Sequence, residues 1–186
     1  ISIKAGKGVG KDAWLAIAMI WFSACHKNSK ILCTANSKNQ LRDVLWSDLS
    51  KFLQGGTHLA AGVTPPVLAK DFEVQAERIF NVNPGGGAKP GAQWFITART
   101  CNRDADINTQ ENVLAGYHAE YLLLAADEAA GMPDAVFKPI ESTLTGEVNL
   151  AILIFNPTRN TGYAIETHKP ENAKYWEQLT WNAEES

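Results

Sequence analysis

The chain has 186 residues and a formal net charge of -3, with 45% apolar and 20% charged residues, a composition that supports a full globular core. Its sequence pI of about 5.8 excludes the overall basic field of a dedicated nucleic-acid binder, although not a local basic patch. Cys25, Cys33 and Cys101 form no C-x-x-C pair, which argues against a zinc site or a disulfide framework and for buried free thiols in a reducing compartment.

Residues 1–5 (ISIKA) alternate as a short strand, and the glycine-rich AGKGVGKD follows over 5–12. The pattern predicts a helix from Lys11 to Cys25, apolar nearly all round and therefore buried, with Trp14 and Trp21 both in the core. Its apolar stretch of about 13 residues is too short to span a bilayer and lacks the flanks of a signal peptide. ILCTA (31–35) reads as a buried strand. Ser37 and Gln40 have capping-box spacing, and Leu41, Leu45, Leu49 and Phe52 share one face of the helix behind them. Residues 55–71, with Gly55-Gly56 and Pro65-Pro66, read as loop. FEVQAERIFNV (72–82) and AQWFITART (92–100) read as the two strands of a hairpin around a Gly/Pro-rich turn.

Residues 101–119 are polar and read as irregular. YLLLAAD (121–127) and NLAILIFNP (149–157) are continuous apolar runs, as in strands covered on both faces. Between them a helix is expected to carry Pro133 in its first turn and to stop near Gly146. A short helix at 161–168 and a strand, YWEQLTW (175–181), close the order. Strand, loop, helix, strand, helix predicts an α/β fold, a mostly parallel sheet with helices on both faces and a β-hairpin insertion. Ile1 stands inside a strand-like stretch, so residues 1–186 are expected to be one domain cut from a longer protein.

AGKGVGKD is close to the phosphate-binding pattern G-x-x-x-x-G-K-[ST], with Ala5 and Asp12 departing from it. Gly6, Gly8 and Gly10, with Lys7 and Val9 between them, let the backbone turn its N–H groups toward phosphate oxygens. The helix start adds partial positive charge, and Lys11 reaches the β- and γ-phosphates of a nucleotide. A glycine-rich turn that merely contains Lys11 is the competing reading. Asp127-Glu128 end a buried strand, where sheet ligands bind. An acid there holds magnesium, and an adjacent glutamate polarises the attacking water. Asn156 and Thr158, at the next strand end, belong to the same sheet edge, and the amide there senses a γ-phosphate or orients water.

Three motifs in this order resemble the ATPase domain of the large terminase subunit of tailed bacteriophages, a P-loop motor of the RecA/ASCE type. The resemblance runs through AGKGVGKDAWLAIAMIWF, TANSKNQLRDVLWSDLSKFL, ENVLAGYHAEYLLLAADEAAGMPDAVFKPIESTLTG and LAILIFNPTRNTGY, well over half of the chain. It implies ATP and Mg2+ as cofactors. By it, Lys11 is the phosphate-loop lysine, Asp127 the magnesium-associated acid, Glu128 the catalytic glutamate and Asn156-Pro157-Thr158 the coupling motif. Lys7 stands where such proteins usually carry a basic residue, and Gln40 where they habitually carry glutamine. Asp12 replaces a hydroxyl and is expected to be a second, charged ligand for magnesium.

A ring motor takes an arginine from a neighbouring subunit. Arg99, Arg103 and Arg159 are the candidates, and Arg159, beside the coupling motif, is preferred. The resemblance also implies double-stranded DNA, a portal or procapsid and a small terminase subunit as partners. It implies a homo-oligomeric ring, no membrane, and the cytoplasm of an infected or prophage-carrying host. No acidic cluster follows residue 160, so nuclease activity is not expected of this stretch. Two alternatives stay open: a superfamily 2 helicase, since Asp127-Glu128-Ala129-Ala130 approaches its acidic box, and a degenerate P-loop module that binds nucleotide or partners without turnover.

Overall fold

The computed structural model describes residues 1–55 and 66–182. Gly56 and Pro65 of the expected loop lie outside the described residues. Eight strands form one sheet: β1 (Ser2–Ala5), β2 (Lys30–Ala35), β3 (Phe72–Val74), β4 (Arg78–Asn81), β5 (Phe95–Thr100), β6 (Tyr121–Asp127), β7 (Val148–Phe155) and β8 (Gln178–Trp181). Their order is β3-β4-β5-β2-β6-β7-β1-β8. Pairing is parallel from β5 to β8 and antiparallel at β3–β4 and β4–β5. The α/β fold with a hairpin insertion is therefore present.

Alternation along the central strands divides the core in two. Leu123 and Ala125 of β6, with Ile31, Cys33, Ile152 and Ile154, pack under Leu15, Met19 and Phe22 of α1 (Lys11–Cys25). Leu122, Leu124 and Ala126, with Leu32, Leu153 and Phe155, face Val136, Phe137, Ile140 and Ala164. Helices accordingly cover both faces. No helix among the described residues is long and apolar enough to cross a membrane.

Several local expectations need correction. The helix α1 is covered on one side only: Ile17 and Trp21 are 52% and 58% exposed, so Trp21 is not a core residue. Trp14 instead meets Trp181 edge-on at 5.4 Å. Cys25, at the end of α1, is exposed, whereas Cys33 and Cys101 are buried. The run 72–82 is two antiparallel strands, because the chain reverses through Gln75, Ala76 and Glu77 and Gln75 N–H donates to Arg78 O. Residues 101–119 contain a short helix, α3 (Ile107–Glu111), which Asp106 caps by accepting the Thr109 N–H at 3.1 Å.

The helix expected over 133–146 is broken. A 3₁₀ turn (Asp134–Phe137) is followed by a separate α4 (Ile140–Thr143), because Pro139 between them has no N–H to continue the ladder. The short helix near 161–168 is α5 (Tyr163–Glu166).

After β2 the chain forms a π-helical segment (Gln40–Trp46) that runs into α2 (Ser47–Gln54). Leu41, Leu45, Leu49 and Leu53 are buried, and Phe52 is only half-buried, so Leu53 takes the place expected of Phe52. Four-residue steps drift by about 40° each in a regular α-helix. The wider π turn offsets that drift and keeps the four leucines on one face.

Candidate functional site

β7 lies between β1 and β6, so three strand ends open at one carboxyl edge: the glycine loop after β1, Asp127-Glu128 at the end of β6, and Asn156 after β7. Ligands bind at such edges of parallel sheets. Gly8 (φ 80°) and Gly10 (φ 75°) adopt the left-handed conformation that only glycine takes without a Cβ penalty. Gly10 is also the N-cap of α1, and no side chain caps the first N–H groups there. These donors and the positive end of the helix dipole together make an anion seat. Gly6 and Val9 are half-buried, and Lys7 is exposed.

Lys11, the first residue of α1, is 6% exposed. Its Nζ lies 2.8 Å from Glu128 Oε1 and 3.5 Å from Asp12 Oδ1. Burial opposes its charge, but the Glu128 hydrogen bond and the charges of Glu128, Asp12 and Asp127 outweigh burial and hold the ammonium above its ordinary range. Asp127 is fully buried. Its Oδ1 accepts the Glu128 N–H at 2.9 Å and its Oδ2 accepts Gln40 Nε2 at 3.2 Å. Burial first, then the charge of Asp12, pushes this carboxyl up to about 7, against the opposing effects of Gln40 and Lys11.

Asp12, Asp127 and Glu128 each bring a carboxylate oxygen within 4.8 Å of the others. Asp12 Oδ1 is buried and has no hydrogen-bond donor. Three converging carboxylates, one with an oxygen that accepts no hydrogen bond and has the Lys11 ammonium beside it at 3.5 Å, fit a hard divalent cation. Glu128 itself is a non-glycine residue in the left-handed region (φ 51°, ψ 41°), a conformation that persists only where the surroundings impose it.

Gln40 shows how one side chain leaves a local motif for the site. Ser37 Oγ accepts the Gln40 N–H at 3.1 Å, which is half of the expected capping box. The glutamine side chain that would close the box reaches Asp127 instead.

The three candidate arginines part company. Arg99 donates to Tyr117 Oη at 3.1 Å, and Arg103 donates to Asn36 Oδ1 at 2.9 Å and to the Gly131 carbonyl. Arg159 is exposed beyond the β7 end, where Asn156 is half-buried and its carbonyl accepts the Thr158 N–H at 2.8 Å. Asn36 and Gly131 lie within stretches that carry the resemblance, but nothing in the sequence marks either as a partner of Arg103. A cavity of about 580 Å³ lies at the opposite, amino end of β1 and β7, lined by Ile1, Leu150 and Trp176 and by none of these residues.

No family model matches the chain. A probable terminase, large subunit, of Enterobacteria phage P7 is 30% identical over 167 residues, which is 90% of this chain and 31% of that protein. The chain thus spans about a third of the length of that curated relative. The ATPase domain of the Thermus phage P74-26 large terminase superposes with a TM-score of 0.54 at 20% identity, over 84% of this chain and 59% of its own. The large terminase of a second thermophilic bacteriophage superposes with a TM-score of 0.64 at 10% identity, over 96% of this chain and 39% of its own. In its complex with ADP that second protein gives 0.59 at 11% identity, over 97% and 39%. By sequence along nine-tenths of its length, and by a fold shared with large-terminase ATPase domains, this chain is a relative of the large terminase subunits of bacteriophages.

Proposed function

We propose that this chain is the ATPase domain of a large terminase subunit, hydrolysing ATP to drive double-stranded DNA into a procapsid. The observation that carries the reading is the 2.8 Å pair between Lys11 and Glu128, set between an uncapped helix start and two further carboxylates. On this reading a phosphate-binding cation and a general base meet where the γ-phosphate of a nucleotide in the loop would lie.

On this reading the loop N–H groups and Lys11 bind the β- and γ-phosphates. Lys11 exchanges its carboxylate partner for phosphate, and Glu128 is released to accept a proton from the attacking water. Asn156 orients that water or senses the γ-phosphate. Asp12 and Asp127 would hold Mg2+, whose charge would neutralise the phosphates. Gln40 keeps Asp127 turned toward the cluster. In a homo-oligomeric ring, Arg159 reaches the site of a neighbouring subunit. A portal or procapsid and a small terminase subunit are the further partners of this reading, and the host cytoplasm is its place of work.

Two measurements test it. ATP turnover by the full-length protein is expected to depend on Mg2+ and to rise when duplex DNA is added; indifference to DNA speaks against a packaging motor. Asp12→Ala is expected to weaken Mn2+ binding at least about tenfold, the loss that even outer-shell partners of a metal produce. Unchanged metal affinity and turnover in that variant would remove Asp12 from the metal site.

A further inference from the structure

We propose that Arg103 is a positioning residue for Glu128 of its own subunit, acting through a clasp with Asn36 and the carbonyl of Gly131. The proposal rests on the ATPase reading, in which Glu128 is the general base.

Arg103 lies between β5 and α3, on a loop that is held from within. Gln110 Nε2 donates to both Arg103 O and Ala105 O at 2.9 Å, and Asn102 Oδ1 accepts the Asp104 N–H at 3.1 Å. Gln110 is itself buried, so the backbone that presents the guanidinium is anchored in the protein. From there Nε donates to Asn36 Oδ1 at 2.9 Å, and Nη2 donates to Gly131 O. Both acceptors flank the site. Asn36 follows Ala35, the β2 residue in register with Asp127. Gly131 ends the turn that Glu128 begins, through Gly131 N–H to Glu128 O at 2.9 Å and Met132 N–H to Ala129 O at 3.1 Å.

The fit is close enough that a side chain at Gly131 would have to displace the clasp. A Cβ on Gly131 would lie 2.6 Å from Asn36 Nδ2 and 2.9 Å from Arg103 Nη2. The turn and the clasp are therefore shaped against each other. Glu128 needs that support, because its left-handed backbone is unfavourable for a residue with a Cβ. Lys11 restrains its carboxylate, and the clasp restrains its backbone three residues on. Neither Asn36 nor Gly131 belongs to the glycine loop, so loss of the clasp is expected to misplace the base while the phosphate seat stays intact.

The test uses the full-length protein and the variants Arg103→Ala and Asn36→Ala. In nucleotide-free protein, amide exchange at Gly131 and Met132 is expected to quicken about tenfold, the low end for bonds from a charged donor because this guanidinium is exposed. Unchanged protection there overturns the clasp, whether or not the protein hydrolyses ATP. Affinity for a fluorescent ATP analogue is expected to hold while kcat falls about tenfold or more, the pattern of a displaced catalytic group. Equal kcat overturns the proposal. Mixing Arg103→Ala with Lys11→Ala subunits is expected to restore nothing, since each intact Lys11 then lacks its own Arg103; regained turnover would make Arg103 a group supplied to a neighbour and overturn the proposal. Failure of the ATPase reading has a separate signature: no turnover in the unmodified protein that Glu128→Gln removes, with the exchange result standing.

Discussion

Glu128→Gln is expected to lower the rate of ATP hydrolysis by about 10²–10⁴-fold, the range a positioned general base contributes. The substitution keeps the shape of the side chain and an acceptor oxygen for Lys11, but removes the ability to take a proton. ATP binding is expected to be equal or tighter. In the free protein the ammonium is committed to a carboxylate 2.8 Å away, and a neutral amide competes less with incoming phosphate for the same donor. Steady-state turnover and nucleotide titration on the same preparation separate the two effects. Preserved turnover would mean that the Lys11–Glu128 pair is an ordinary structural ion pair, and the reading of the site would fall with it.

Asp127→Asn is expected to raise the stability of the metal-free protein at pH 8 and to change it little near pH 4. The folded carboxyl is pushed up to about 7 from an ordinary value of 3.8, burial being the main cause. Between those two values the folded state holds a proton that the unfolded chain has released. The group's stabilising contribution is therefore complete below about 4 and lost as pH rises toward 7. Above that, the protein carries an ionised carboxylate that is fully buried and close to two others. Asparagine removes the charge and keeps an acceptor for the Glu128 N–H. Melting curves in chelator at the two pH values test the sign, and a variant no more stable at pH 8 would contradict it. The same substitution is expected to abolish metal-dependent turnover, a direct exchange of function for stability.

The parts of this site that the sequence shows are those held by neighbours along the chain. The glycine loop, its strand and its helix are contiguous, and their order alone predicts the anion seat. The apolar runs ending in Asp127 and Asn156 predict strand ends because a strand covered on both faces needs no polar alternation. What escaped is held across the chain. The Arg103 clasp joins residues 67 and 28 positions apart, and no periodicity marks such a pair. The turn through Gln75 and Glu77 has no glycine or proline to announce it. Pro139 was visible, and its missing N–H outweighs the helical pattern around it. The exposed stripe on α1 was hidden because apolar composition reports what a helix contains and not how much of it the sheet covers.

The π-helical opening of the helix after β2 has a consequence for comparing this chain with others. Its wider turn accommodates roughly one residue more than a regular helix would need between the end of β2 and the leucine face. Against a relative whose corresponding helix is regular, a one-residue gap is expected between the end of β2 and the leucine face, within 36–46. Without that gap, either Gln40 is matched to a position that points away from the acidic strand, or the four leucines are matched to solvent-facing ones.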